Sequence, residues 1–148
     1  LCLGATKNGA IAAEAVILFD PKLAWEFELR RKRAGHLFSK MRFLAAQFEA
    51  MMANDLWLNL ACRANAIAAG LAGGLSALPH ARLVHPVEAN LMFVELPRSV
   101  HREARGKGAA YALMGRLEGD DDEMLTCRLV CSAQTTGDEV AAFLKVVS

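Results

Sequence analysis

Residues 4–10 read Gly-Ala-Thr-Lys-Asn-Gly-Ala, between the apolar opening Leu1-Cys2-Leu3 and the apolar run Ala15-Val16-Ile17-Leu18-Phe19. A strand would otherwise carry across this region. The segment interrupts it with a turn and places a single lysine, Lys7, inside that turn. Gly4 and Gly9 let the backbone turn tightly and approach a ligand closely, and Thr6 offers a hydroxyl suited to a phosphate oxygen. A lysine that does covalent chemistry must present a neutral amine, which a mostly apolar, partly desolvated setting favours. On the local pattern alone, a surface lysine on a glycine-rich hairpin is the simpler reading.

Composition bounds what surrounds this turn. The 148 residues fit one domain with a substantial core. Lysine and arginine number 17 against 16 acidic residues, so no overall field steers the protein toward nucleic acid or a membrane. The partner is expected to be small or local. Cys2, Cys62, Cys127 and Cys131 form no Cys-x-x-Cys pair, and free buried thiols in a reducing cytoplasm are expected. The weakly polar stretch 64–79 is shorter than the roughly 20 residues of a membrane span. The opening residues do not read as a basic, cleavable leader, and none is expected. Because residue 1 is Leu and apolar sequence begins at once, the chain is expected to be a piece of a longer protein.

Further along, Asp20-Pro21 reads as a helix start, with Asp20 as N-cap. Leu37, Met41, Leu44, Phe48 and Met51 form one apolar stripe at helical spacing, with Gly35 as a break before it. A second long helix is expected from about Asp55 to Leu78, with Leu56, Leu60, Ile67 and Leu71 inward. Gly70, Gly73 and Gly74 weaken its end or permit close packing, and Pro79 stops it. The period then changes. Leu83-Val84, Leu91 to Leu96 and Leu125 to Cys131 are β-type runs, separated or followed by helices over Val100 to Met114 and Asp138 to Val147. Thr136 and Glu139 form a capping-box pattern. The order β-β-α-β-α implies a small α+β unit with helices on a mostly antiparallel sheet.

Several chemistries are set aside. The glycine-to-lysine spacing is wrong for a Walker loop, and no Gly-x-Gly-x-x-Gly fingerprint occurs. His36, His80, His85 and His101 are dispersed, so metal binding has little support. The acidic run 118–123 lacks the alternating ligands of a calcium loop and reads as a solvated turn. Arg30-Arg31-Lys32-Arg33 points to all sides of a helix, flanked by Glu26 and Glu28, with no interleaved aromatic residues for nucleic acid.

Four blocks occur in order: G-A-T-K-N-G-A with A-E-A-V-I-L-F-D, then R-K-R-A-G-H-L-F-S-K-M-R-F-L-A-A-Q, then P-V-E-A-N-L-M-F-V, then C-R-L-V-C-S. Together they resemble the low-specificity L-threonine aldolases, of the β-eliminating lyase group. The resemblance covers essentially the whole chain. It implies an α/β, PLP-dependent transferase-like fold (aspartate aminotransferase fold type I): residues 1–54 as the end of the large cofactor-binding domain, a long helical linker, and 55–148 as a C-terminal small α+β domain.

By the same resemblance, Lys7 falls on the lysine that bonds covalently to pyridoxal 5′-phosphate, and Arg128 on the arginine that holds the substrate carboxylate. Arg42 falls on an arginine at the cofactor phosphate, commonly reaching across a subunit boundary. Thr6 is a further cofactor contact, and Arg33 or Lys32 another phosphate-side cation. The implied reaction is retro-aldol cleavage of L-threonine or L-allo-threonine to glycine and an aldehyde, in a cytoplasmic homodimer or homotetramer. Family members are more than twice as long, and the part before Leu1 carries the ring that stacks on the cofactor and the aspartate at its nitrogen. These 148 residues alone are therefore expected to be inactive. The alternatives are a non-catalytic structural segment, or a racemase or β-eliminating lyase on the same fold.

Overall fold

The computed structural model describes residues 1–37 and 39–148. It divides into two compact units, Leu1–Leu60 and Ala61–Ser148, each with its own small or large core.

In the first unit, β1 (Cys2–Gly4) and β2 (Glu14–Val16) form an antiparallel pair, with Leu3 opposite Ala15. The expected strand over Ala15 to Phe19 stops at Val16, and Phe19 is 81% exposed. Asp20 caps as expected: its carboxylate accepts from the Lys22 N–H at 2.9 Å, and a 3-10 turn at Pro21–Leu23 leads into α1 (Ala24–Arg33). Gly35, at φ +76°, follows the end of that helix. α2 spans Met41–Met52, and Met51 packs with Phe48, Leu60, Ala5, Ala10 and Ala13 in one cluster. Leu37 lies outside α2 and is exposed, so the apolar stripe begins at Met41. Leu56, expected inward, is also exposed, because the cluster is reached by Leu60 one turn later.

α3 (Leu56–Ser76) begins in the first unit and ends in the second. The second unit contains β3 (Arg82–Leu83), β4 (Leu91–Pro97), α4 (Arg98–Gly106), β5 (Ala112–Met114), β6 (Met124–Val130) and α5 (Gly137–Val147). The sheet runs β3-β4-β6-β5, every pair antiparallel. Period-2 alternation puts Met92, Val94 and Leu96 of β4 and Leu125, Cys127 and Leu129 of β6 on one face. That face is covered by Ala68, Leu71, Ala72 and Leu75 of α3, Ala104 of α4 and Val147 of α5. Burying a leucine such as Leu75 or Leu96 contributes about 1.5–3 kcal/mol. The antiparallel α+β unit is thus the one expected.

One element differs. The helix expected over Val100 to Met114 ends at Gly106, and Ala112–Met114 is the edge strand β5. Gly106 and Gly108, the latter at φ +90°, break the helix, and pairing along β6 gives the backbone of residues 112–114 a partner the local sequence does not show.

The cysteines also divide. Cys127 and Cys131 are buried free thiols as expected, whereas Cys2 and Cys62 are exposed. Burial pushes the Cys127 thiol up to about 12 and raises that of Cys131.

Candidate functional site

The Lys7 turn is a 3-10 turn over Thr6–Asn8, closed by Gly9 in the left-handed region at φ +118°. A side chain at Gly9 would be strained there and would also crowd Leu60 at 3.3 Å. Ala5 and Ala13, both buried, anchor the base: the Ala5 N–H donates to the Ala13 carbonyl at 2.9 Å, and the Asn8 and Ala10 N–H groups donate to the Ala5 carbonyl at 3.0 and 3.1 Å. Thr6 Oγ1 accepts from the Ala13 N–H at 3.1 Å, which leaves its hydroxyl proton available to a ligand. Asn8 Nδ2 donates to the Trp57 carbonyl at 2.8 Å, and Gln47 Oε1 accepts from the Ile11 N–H at 2.8 Å. The turn is therefore tied to the helical part of its unit on several sides.

Lys7 itself is exposed, and among the described residues its amine makes no hydrogen bond or ion pair. The desolvated setting expected for covalent chemistry is not formed by the described residues, in which the Lys7 side chain is exposed. At Gly4 a Cβ would meet only the carboxylate of exposed Glu14, a side chain free to swing away.

Of the other cations in this unit, Arg42 is exposed at the start of α2 with its guanidinium 4.6 Å from the Phe43 ring centre. Arg33 is exposed and lies 3.6 Å from Glu26, which also binds Arg30 at 2.7 Å. Lys32 is exposed without an ion pair among the described residues. These are solvated helix cations; the structure brings Thr6 and Lys7 together in one turn and places Arg33 and Arg42 on separate helices.

In the second unit Arg128 sits mid-way along β6, opposite Phe93 of β4 and Ala112 of β5. It projects from the face opposite the core and makes no ion pair among the described residues. Among the described residues it makes no ion pair with the acidic loop, whose Glu123 and Asp121 bind Arg98 and Arg102. Arg128 lines a cavity of about 310 Å³ with Tyr111, Thr135, Glu139 and Phe143.

Sequence reasoning passed over two buried polar residues nearby. Arg98, 4% exposed, donates to the carbonyls of Arg116 and Asp120 and to the Glu123 carboxylate at 2.6 Å. Its backbone N–H donates to the Glu123 carbonyl, so the acidic loop caps α4 and is more than a solvated turn. Gly119, at φ +126°, is needed there because a Cβ would collide with the Arg98 guanidinium. His101 is fully buried, with Nε2 3.0 Å from the Leu125 carbonyl and Nδ1 2.8 Å from the Tyr111 hydroxyl. Its signal was its place next to Val100 and three residues before Ala104, on the inward side of α4.

No group of histidine, cysteine and carboxylate side chains able to hold a metal ion occurs among the described residues. No described helix is long and apolar enough to cross a membrane.

No family model matches the sequence. A low specificity L-threonine aldolase of Pseudomonas aeruginosa is 39% identical over 141 residues, which are 95% of this chain and 38% of that protein. One from a Pseudomonas species is 41% identical over 108 residues, 73% of this chain and 31% of that protein. Among solved structures, a Leishmania major threonine aldolase matches 99% of this chain and 41% of its own, with a TM-score of 0.87 at 29% identity. The chain thus spans between three and four tenths of the length of the curated relatives it matches.

Proposed function

The chain belongs to the low-specificity L-threonine aldolase family and has the α/β architecture of the PLP-dependent fold type I enzymes, and from that premise we propose that it supplies Lys7 and Arg128 to an aldolase. That enzyme cleaves L-threonine and L-allo-threonine to glycine and an aldehyde. Residues 1–54 serve as the end of its large domain and 55–148 as its small domain. The observation that carries the reading is the Lys7 turn. Of the three side chains over Thr6–Asn8, those of Thr6 and Asn8 are bound to backbone, while the Lys7 amine has no partner among the described residues.

At the Lys7 turn the residues present suit pyridoxal 5′-phosphate through an unpartnered amine on Lys7 among the described residues and a hydroxyl proton on Thr6, while Arg42 and Arg33 lie on separate helices. When bound, that cofactor supplies the sink for the electron pair released as the Cα–Cβ bond breaks. Lys7 would hold the cofactor, and Thr6 with Arg42 and Arg33 would hold its phosphate. Arg128 grips the substrate carboxylate with a planar fork of donors, which fixes the amino acid against rotation and so orients the bond to be broken.

Exposed Ile11, Phe19 and Trp25 in the first unit form apolar surface for the rest of the large domain to cover, and the complete enzyme is proposed to be a homo-oligomer. The four free thiols support a reducing, cytoplasmic setting.

The test is reductive trapping in the intact gene product. Treatment with pyridoxal 5′-phosphate and borohydride should leave a pyridoxyl adduct on the peptide containing Lys7, and Lys7→Ala should abolish it. Because the side chain is exposed, that variant should keep its stability within about 0.5 kcal/mol. An adduct that persists in Lys7→Ala refutes the assignment.

A further inference from the structure

His101 is completely buried, yet nothing in the proposed reaction uses it. Its hydrogen bonds determine its proton. A backbone carbonyl only accepts, so Nε2, facing the Leu125 carbonyl at 3.0 Å, carries the hydrogen. Nδ1 is then a bare acceptor, and the Tyr111 hydroxyl donates to it at 2.8 Å. The phenol remains a donor across the physiological range, because burial pushes it up to about 12. The Tyr111 ring is held in turn: its edge meets Phe143 at 5.8 Å between centres, and Arg105 lies over it at 5.5 Å while donating to the Tyr111 carbonyl at 2.9 Å.

The two ends of this pair bracket Arg128. Leu125 lies three residues before it on β6, and Tyr111 immediately precedes Ala112, the β5 residue paired with Arg128. β5 has only three residues and is an edge strand, so its own pairing holds it weakly. Tyr111 also lines the cavity beside Arg128. We infer that His101 and Tyr111 are positioning residues for Arg128, fixing its strand and cross-strand partner so that the guanidinium meets a small carboxylate in one orientation. The inference rests on the assignment of Arg128 to the substrate carboxylate.

The experiment measures equilibrium binding of glycine to the intact gene product and to its Tyr111→Phe, His101→Gln and Arg128→Ala variants, alongside thermal melting and kcat and KM for L-threonine. Tyr111→Phe keeps the ring on Phe143 and loses only the hydroxyl; His101→Gln keeps a donor toward Leu125 and loses the acceptor for Tyr111. Each should weaken glycine binding and raise KM about fivefold, with kcat within about twofold. Melting should move by no more than about 4 °C. If one variant does not fold, the other is decisive. Glycine binding unchanged in a folded Tyr111→Phe or His101→Gln protein overturns the positioning role. Glycine binding unchanged in Arg128→Ala overturns the carboxylate assignment itself, which is a separate and distinguishable result.

Discussion

At the scale of single residues, Lys7 and Arg128 differ in how their surroundings define them. The Lys7 turn is specified locally: Gly9 supplies the left-handed backbone, and Thr6 closes onto Ala13 only seven residues away. Its outline was therefore legible as a string of letters, and the exposed amine matches the simpler local reading of a surface lysine. Arg128 owes its place to strands far apart in sequence, with Phe93 on one side and Ala112 on the other. Replacing it by lysine exchanges a planar fork of donors for a point charge. Arg128→Lys is expected to lower kcat/KM for L-threonine by about tenfold to a hundredfold, with an unchanged melting curve because the residue is exposed and has no ion pair among the described residues. Steady-state kinetics check this, and a lysine variant as active as the parent removes Arg128 from the site. His101 and Arg98 went unread because a histidine or arginine within Arg-Ser-Val-His-Arg-Glu-Ala-Arg is indistinguishable from its solvated neighbours until the helix is docked.

At the scale of elements, local signals performed well where a device closes within a few residues. Thr136 and Glu139 form the expected reciprocal cap on α5, with the Glu139 N–H donating to Thr136 Oγ1 at 3.2 Å and the Thr136 N–H donating to Glu139 Oε2 at 2.8 Å. The long helix ended two residues before the expected limit of Leu78. Its glycines, alike in sequence, separate in space. A Cβ at Gly74 would strike the Leu144 side chain of α5, whereas one at Gly73 meets nothing within 4 Å. Gly74→Val should thus destabilise the second unit by about 1–3 kcal/mol through overpacking, while Gly73→Ala should stabilise it by up to about 1 kcal/mol through helix propensity. Urea unfolding of the two variants tests the difference; equal effects refute the close approach of α5 to α3. β5 is the element the sequence concealed, since Ala112-Leu113-Met114 has no alternation of its own and is a strand only because β6 offers an edge.

At the scale of the whole molecule, the buried His101 makes stability depend on pH. Burial is the main cause that lowers its pKa below 6.5, with Arg105 adding to the effect and hydrogen bonds to Leu125 and Leu96 opposing it. Tyr111 and Cys127, the other titratable groups near it, stay protonated, both pushed up to about 12. The unfolded chain therefore binds a proton that the folded chain refuses, so this part of the stability is intact above 6.5 and is lost as pH falls from 6.5 toward the lowered folded value. The urea midpoint should fall between pH 7.5 and pH 5, and His101→Gln should flatten that dependence; a parent profile flat over this range refutes it. A second expectation concerns activity: these 148 residues alone, given pyridoxal 5′-phosphate and L-threonine, should release no acetaldehyde, because the groups assigned here hold only the cofactor's aldehyde and phosphate and the substrate's carboxylate. Turnover in a direct aldehyde assay refutes that. By itself the sequence determined what short-range chemistry can encode: the Lys7 turn, the caps at Asp20 and Thr136, the β-type runs that become β4 and β6, and the blocks that resemble threonine aldolases. Tertiary structure alone decided that His101 and Arg98 are buried, that residues 112–114 pair as a strand and that Gly74 is a contact, because burial and pairing depend on which distant segments meet, and no local propensity carries that information.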